Sequence, residues 1–338
     1  MKILYSIQAT GNGHISRAIE ILQHLQKHGD VDVFLSGSNS SLYMAGLGNG
    51  ALIRSKGISF FYNRNGGLNY WKTLANFKPV RAYKEARDLP VEKYDAIIND
   101  FEAITSLACS IKGVYSVGFG HQASFQFPGV PVAQKFDPVG RSILMHYAKA
   151  SDYIGLHFKR YASNGIYTPI INHRIYELSS FDRVPKDTGT AVVYLPSYHP
   201  LGIAYALRDQ TDFDFKIYTP FESSKSQYSP TPNSTVIHLD KGRFTKDLIR
   251  CQLVITSAGF ETPAEALALG KTLMVIPIKG QYEQACNAEA LKEFGVPIFK
   301  NLKNLVKNFA REISKEQKRL YLKDATEHIV EKVMKKFK

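Results

Sequence analysis

At 338 residues the chain is long for a single hydrophobic core and suits two domains. Its 44% hydrophobic and 22% charged residues fit an ordinary globular protein and exclude a disordered one. The formal charge of +13 is compatible with nucleic acid, an anionic membrane surface or anionic small molecules, and does not choose among them. No run of about 18 apolar residues offers a membrane-spanning helix. The opening MKILYSI is too short, and too soon followed by a glycine loop, for a secretory signal. Cys109, Cys251 and Cys286 have no metal-ligand spacing and read as small buried residues in a reducing compartment.

In chain order, Lys2–Ile7 reads as a buried strand and Gln8–Gly13 as a loop. Ile15, Ala18, Ile19, Leu22 and Leu25 recur at helical spacing until Gly29, and Val31–Leu35 is the next strand. This β-α-β opening predicts a parallel, doubly wound sheet. The loop GNGHISR lacks the third glycine of G-x-G-x-x-G, with Ser16 in its place. The second strand ends at Leu35-Ser36-Gly37 without an acid for a ribose hydroxyl, so a dinucleotide fingerprint is excluded. His14 stands at a helix start, where the positive dipole end favours the neutral imidazole that a general base needs. It also reads as a helix cap or an interdomain packing residue. Residues 37–67 read as loop, and Asn69–Leu89 as a helix, broken or restarted by Pro79, with Trp71, Phe77 and Tyr83 among Lys72, Lys78, Arg81, Lys84 and Arg87. That face suits a sugar, a lipid phosphate or an anionic membrane, and equally an ordinary solvated surface. Ala96–Ile98 is a strand ending at Asn99-Asp100 before a helix from Glu102 to Ile111, and Val114–Val117 another, followed by His121 and Gln122. Strand ends of this kind build sites, although Asp100 also reads as a helix cap. Asp152–Phe158 closes the first half.

Tyr167–Thr190 reads as an irregular linker, after which the α/β pattern restarts with strands at Ala191–Leu195, Phe215–Tyr218 and Val236–Leu239. Asp212-Phe213-Asp214 has the D-x-D form of a metal site but precedes its strand, so it faces the wrong end; no metal is expected. Leu253–Ile255 is a strand, then come Ser257-Ala258-Gly259 and a helix with Pro263 at its first position and Thr262/Glu265 as a T-x-x-E capping box. Gly270 ends that helix, Leu273–Ile276 is a strand, and Gln281–Phe294 is a helix stopped by Gly295. Unpaired N–H groups and the helix dipole beyond Gly259 make a phosphate site in principle. Ile313–Lys338 is a Lys-rich helical tail.

The stretch from Gly259 through Thr262 and Glu265 to Glu283-Gln284 resembles the donor-binding segment of GT-B glycosyltransferases, in the group containing MurG and the UDP-glycosyltransferases. Its wording is most similar to a bacterial and archaeal branch of that group, and the G-x-G-H loop resembles the group's first loop. The resemblance implies two Rossmann-like doubly wound domains facing a cleft: residues 1–170 for the acceptor, 171–189 as linker, 190–312 for the nucleotide sugar, and 313–338 crossing back to the first domain. It implies that Gly259 and Thr262 meet the diphosphate, Glu265 the ribose, and Glu283 and Gln284 the sugar, with Gly13 and Ser257 also in the donor site; Phe244 reads either as packing beside the nucleotide base or as core. It further implies that His14 is the general base supported by Asp100, with His121 as the rival base.

The reading that follows is an inverting, metal-independent glycosyltransferase without a cofactor. It would move a sugar from a nucleotide-sugar donor, UDP-linked, to the hydroxyl of a glycan or lipid-linked acceptor in cell-envelope or polysaccharide synthesis. The expected location is the cytoplasm, at the inner membrane face where a lipid-linked acceptor would be met, with peripheral contact to anionic lipid. Two rivals remain. A UDP-sugar 2-epimerase would need more acids and bases around one sugar, and a non-enzymatic binder of RNA or anionic membrane rests on net charge alone.

Overall fold

A computed structural model describes residues 1–9, 12–37, 50–57, 78–135, 137–161, 163–180, 187–221 and 226–338. Two twisted sheets organise it. The first half contributes β1 (Lys2–Gln8), β2 (Asp30–Ser36), β3 (Leu52–Ser55), β4 (Ala96–Asp100), β5 (Val117–Gly120), β6 (Asp152–Leu156) and β7 (Ile166–Tyr167). They pair in the order β3-β2-β1-β4-β5-β6-β7, all parallel. Strand order reverses between β1 and β4, which is where a doubly wound sheet opens a crevice at its carboxyl edge. The strands read as continuous apolar runs because both faces are covered: Ile3, Tyr5 and Ile7 lie in one cluster and Leu4 and Ile97 in another.

The second sheet uses β8 (Asp187–Tyr194), β9 (Asp214–Thr219), β10 (Gln227–Thr231), β11 (Ser234–His238), β12 (Cys251–Thr256) and β13 (Thr272–Val275). Their order is β10-β11-β9-β8-β12-β13, parallel except for the antiparallel edge strand β10. Its reversal falls between β8 and β12, so the turn after Thr256 is this half's crevice. The architecture is the expected pair of doubly wound α/β sheets.

Several local expectations are corrected. β3 lies inside the stretch read as loop, and β10 was not foreseen; both are short edge strands without a strong apolar run. The fifth strand begins at Val117 rather than Val114, because Gly113 turns left-handed at φ 64 and Val114 N–H returns to the Cys109 carbonyl. A helix at His173–Ser180 and the first residues of β8 lie in the stretch read as irregular, and β7 ends on its first residue. Pro79 starts the helix Pro79–Asp88 at its first position, as the restart read from the sequence has it. The expected helical part before Lys78, including Trp71, Lys72 and Phe77, lies outside the described residues. The tail is helical only at Thr326–Met334, with a short 3-10 turn after it.

One apolar cluster runs through both halves and includes Ile15, Phe158, Ile170, Phe260 and Ala264. The helix Thr326–Met334 packs on the first helix of the chain, and Lys27–Glu327 (2.6 Å) and Lys336–Asp152 (2.7 Å) fasten the tail to the first half.

Candidate active site

The first half builds its side of the site from two adjacent strand ends. β1 leads into helix α1 (Asn12–Leu25), whose opening turns carry His14 and Arg17, three residues apart and so on one face. β4 delivers Asp100, which is fully buried. Just beyond it Phe101 sits at φ 57, a conformation uncommon for a residue with a side chain. Asn99 holds that turn, accepting from Glu102 N–H (2.6 Å) and donating to the Glu102 carbonyl (2.8 Å). Glu102 in turn caps the helix Ala103–Lys112 through Ile104 and Thr105 N–H.

His14 Nδ1 lies 2.8 Å from Asp100 Oδ1. Arg17 Nη2 donates to both Asp100 oxygens at 2.8 Å, and Tyr5 OH lies 3.4 Å from Oδ2. Burial works to raise the Asp100 carboxyl, but Arg17 and His14 outweigh it and hold it below its ordinary value. For His14 burial works downward; the charge and hydrogen bond of Asp100 prevail over that and over Arg17, so the imidazole is raised above its ordinary value. With Nδ1–H committed to Asp100, Nε2 is the ring atom turned outward, 3.4 Å from the Gln122 amide nitrogen.

The second half meets this face directly. After β12, residues Ser257–Phe260 turn into helix α8 (Glu261–Ala268). The expected capping box is not formed. The helix starts at Glu261 with Phe260 as its cap residue and no side-chain cap bond, so Thr262 and Glu265 both lie inside the helix and Pro263 is its third residue. Glu261 instead reaches across to pair with Arg17 Nη1 and lies against Gly13, where any Cβ would collide with its carboxylate. Helix α9 (Tyr282–Lys292) presents Glu283, which accepts from Gln122 Nε2 at 3.1 Å, and Asn287.

His121 is placed differently from His14. It is buried at the end of β5, with Nδ1 3.0 Å from the Leu156 carbonyl and Nε2 2.7 Å from Asn287 Oδ1. Asn287 Nδ2 donates to the Ala258 carbonyl at 3.0 Å. The His121 ring stacks on Phe260 at 4.0 Å and 5°. Burial, the leading cause, lowers its pKa despite Glu283 4.0 Å away. Both ring nitrogens are therefore engaged, Nδ1 within the first half and Nε2 across to the second.

The remaining expected residues separate into two groups. Gly259 has open space where a side chain would be, and Ser257 is buried beside it. Gln284 is buried, its amide oxygen accepting from Ile278 N–H (2.9 Å) and so fixing the loop after β13. Phe244, in the first turn of helix Lys241–Arg250, packs edge-on against Tyr218 (5.1 Å) and Tyr194 (5.7 Å) at the carboxyl ends of β9 and β8. Glu265 faces the connection between the halves and accepts from Asn172 N–H; burial first, then Glu261, push its carboxyl up to about 8. Asp212 and Asp214 are exposed at the amino end of β9, opposite the edge that carries Phe244. Among the described residues no group of three His, Cys, Asp or Glu side chains is arranged to hold a metal.

Sequence reasoning missed Arg17, Glu261 and Asn287. Arg17 had a signal, its three-residue spacing from His14 on an amphipathic helix. Glu261 and Asn287 had none, because their partners lie 244 and 166 residues away.

Comparison with known proteins agrees with this fold. The family model described as "Glycosyl transferase family 1" matches residues 1–314. Acinetobacter baumannii MurG superposes with a TM-score of 0.59 at 15% identity, covering 99% of each chain. Arabidopsis thaliana UGT89C1 complexed with UDP gives 0.59 at 12% identity, over 99% of this chain and 94% of that one. The glycosyltransferase SnogD from Streptomyces nogalater gives 0.55 at 15%, over 100% and 95%. No curated protein sequence matches significantly.

Proposed function

This chain belongs to glycosyl transferase family 1 and is a glycosyltransferase of GT-B fold, and from that premise we propose that it is an inverting, metal-independent enzyme using a UDP-sugar. The observation that carries the mechanism is the His14–Asp100 pair at the switch point of the first sheet, with His14 Nε2 turned to the face that meets the second half. Asp100 orients the imidazole and stabilises its charged form. Nε2 takes the proton of the acceptor hydroxyl, and the oxygen attacks the anomeric carbon as the nucleoside diphosphate departs on the opposite side, inverting the centre. His121 is not assigned the role of base because both its nitrogens are engaged.

The donor is assigned to the second half. Gly259 and the start of helix α8 offer backbone N–H groups and the positive dipole end to the diphosphate, with Ser257 and Thr262 alongside and Gly13 facing them. Glu265 takes the ribose, Phe244 packs beside the nucleotide base, and Glu283 with Gln284 reads the sugar hydroxyls. UGT89C1 was solved with UDP and with UDP-L-rhamnose, which supports a UDP-sugar in this fold. A glycan or lipid-linked acceptor in envelope or polysaccharide synthesis is the matching second substrate. The deciding experiment incubates the enzyme with UDP-sugars and candidate acceptors, with and without chelator, and reads the anomeric configuration of the product. A product of inverted configuration formed equally in chelator supports the reading; a retained configuration, loss of activity in chelator, or epimerised UDP-sugar without acceptor refutes it.

A further inference from the structure

Arg17 sets a problem for a base at His14. Its guanidinium is fully buried and Nη2 lies 3.1 Å from His14 Nδ1, so it opposes any proton the imidazole accepts. Asp100 must serve both cations, and its single charge is already matched by the three bonds from Arg17. A second carboxylate comes from the other half. Glu261, in the first turn of helix α8, pairs with Arg17 Nη1, and glycine at position 13 gives it room to approach. The full set facing His14 is thus Asp100 from β4, Arg17 from its own helix, Glu261 from α8, Tyr5 through Asp100, and Gln122 backed by Glu283 of α9.

We propose that Glu261 is a positioning residue that acts through Arg17: it neutralises the guanidinium so that the charge of Asp100 remains available to the imidazolium of His14. Arg17 and Asp100 alone sum to zero charge. Adding Glu261 makes the cluster −1, and protonating His14 returns it to zero. Because Glu261 belongs to the half assigned to the donor, this charge balance exists only when the two halves are together, and it couples closure of the cleft to the basicity of His14. The proposal rests on His14 being the base.

The test follows the His14 Cε1 resonance against pH in the full-length protein without donor or acceptor, the signal being assigned by its loss in His14→Gln. Glu261→Gln, isosteric and partly exposed, removes the charge and should lower the His14 midpoint by about one unit, as for a carboxylate one residue removed from direct contact. Gly13→Ala, which keeps the charge but pushes it away, should shift the midpoint in the same direction by less. Glu283→Gln should move it less than Glu261→Gln, since it reaches His14 only through the Gln122 amide. An unchanged midpoint in a folded Glu261→Gln protein, or an equal or larger shift in Glu283→Gln, overturns the proposal. The titration needs no turnover, so it is separable from the functional reading. Should His14→Ala transfer sugar normally, His14 is not the base even where the titration behaves as described.

Discussion

His14 holds Asp100 with one ring nitrogen and leaves the other beside the Gln122 amide, a geometry suited to a base. His14→Ala should lower turnover by about 10²–10⁴-fold with UDP affinity nearly unchanged, because the proposed donor contacts lie mainly on the other half. Asp100→Asn should cost less, as it removes the orienting charge and keeps the base. Steady-state kinetics with His121→Ala alongside separates the assignments: an inactive His121→Ala beside an active His14→Ala would reverse them. Glu265 offers a test at the same scale. Its folded pKa of about 8 lies above the ordinary 4.5, so its contribution to stability is complete below about 4.5 and is lost as pH rises through about 8. Glu265→Gln should therefore melt increasingly above the parent as pH is raised across that window and level off beyond it. UDP affinity should fall in Glu265→Ala by about 0.5–1.5 kcal/mol per hydrogen bond if ribose hydroxyls bond its neutral carboxyl; unchanged affinity by calorimetry would leave Glu265 as a contact between the halves.

At the level of elements, the site depends on how strands end. β1 and β4 place His14 and Asp100 side by side because they are neighbours at the sheet's reversal, with Ile7 opposite Asp100 in register. The turn after β4 is held against its own preference by Asn99, which keeps Phe101 left-handed. Asn99→Ala removes two buried hydrogen bonds and should destabilise the protein by about 2 kcal/mol in denaturant unfolding. Turnover should drop further than the unfolded fraction explains, since Asp100 loses its support; a drop matching unfolding alone would make the turn purely structural. The helix Pro79–Asp88 exposes Val80 and Tyr83 among Arg81 and Lys84. If that face meets anionic lipid, changing Lys78, Arg81 and Lys84 to Gln should abolish sedimentation with phosphatidylserine vesicles at unchanged donor affinity. Equal sedimentation of variant and parent would leave it an ordinary surface.

For the whole molecule, specific donor binding should raise the melting temperature with UDP-sugars above that with GDP-, dTDP- or CMP-sugars, because a ligand that binds only the folded state stabilises it. Contacts between the halves include Arg17–Glu261, Gln122–Glu283, His121–Asn287, Lys159–Glu293 and the Phe260 ring on His121, beside the shared apolar cluster. Phe260→Ala should therefore lower the energetic coupling between the halves, seen as faster amide exchange at Gly118–Gln122 without unfolding of either sheet. Among the described residues no helix is long and apolar enough to cross a membrane. The sequence alone was sufficient for the alternation of strand and helix, for the carboxyl-end positions of His14, Asp100 and Gly259, and for the left-handed stop at Gly270, which adopts φ 62. These follow from local periodicity, turn chemistry and strand order, which nearby residues encode. The short edge strands, the true start of the helix at Glu261, and the partners of Arg17, His121 and Glu283 were decided only by tertiary structure. Edge strands lack a two-sided apolar signature, a helix end yields to packing of Phe260, and an ion pair between residues 17 and 261 exists only once two sheets have brought their crevices face to face.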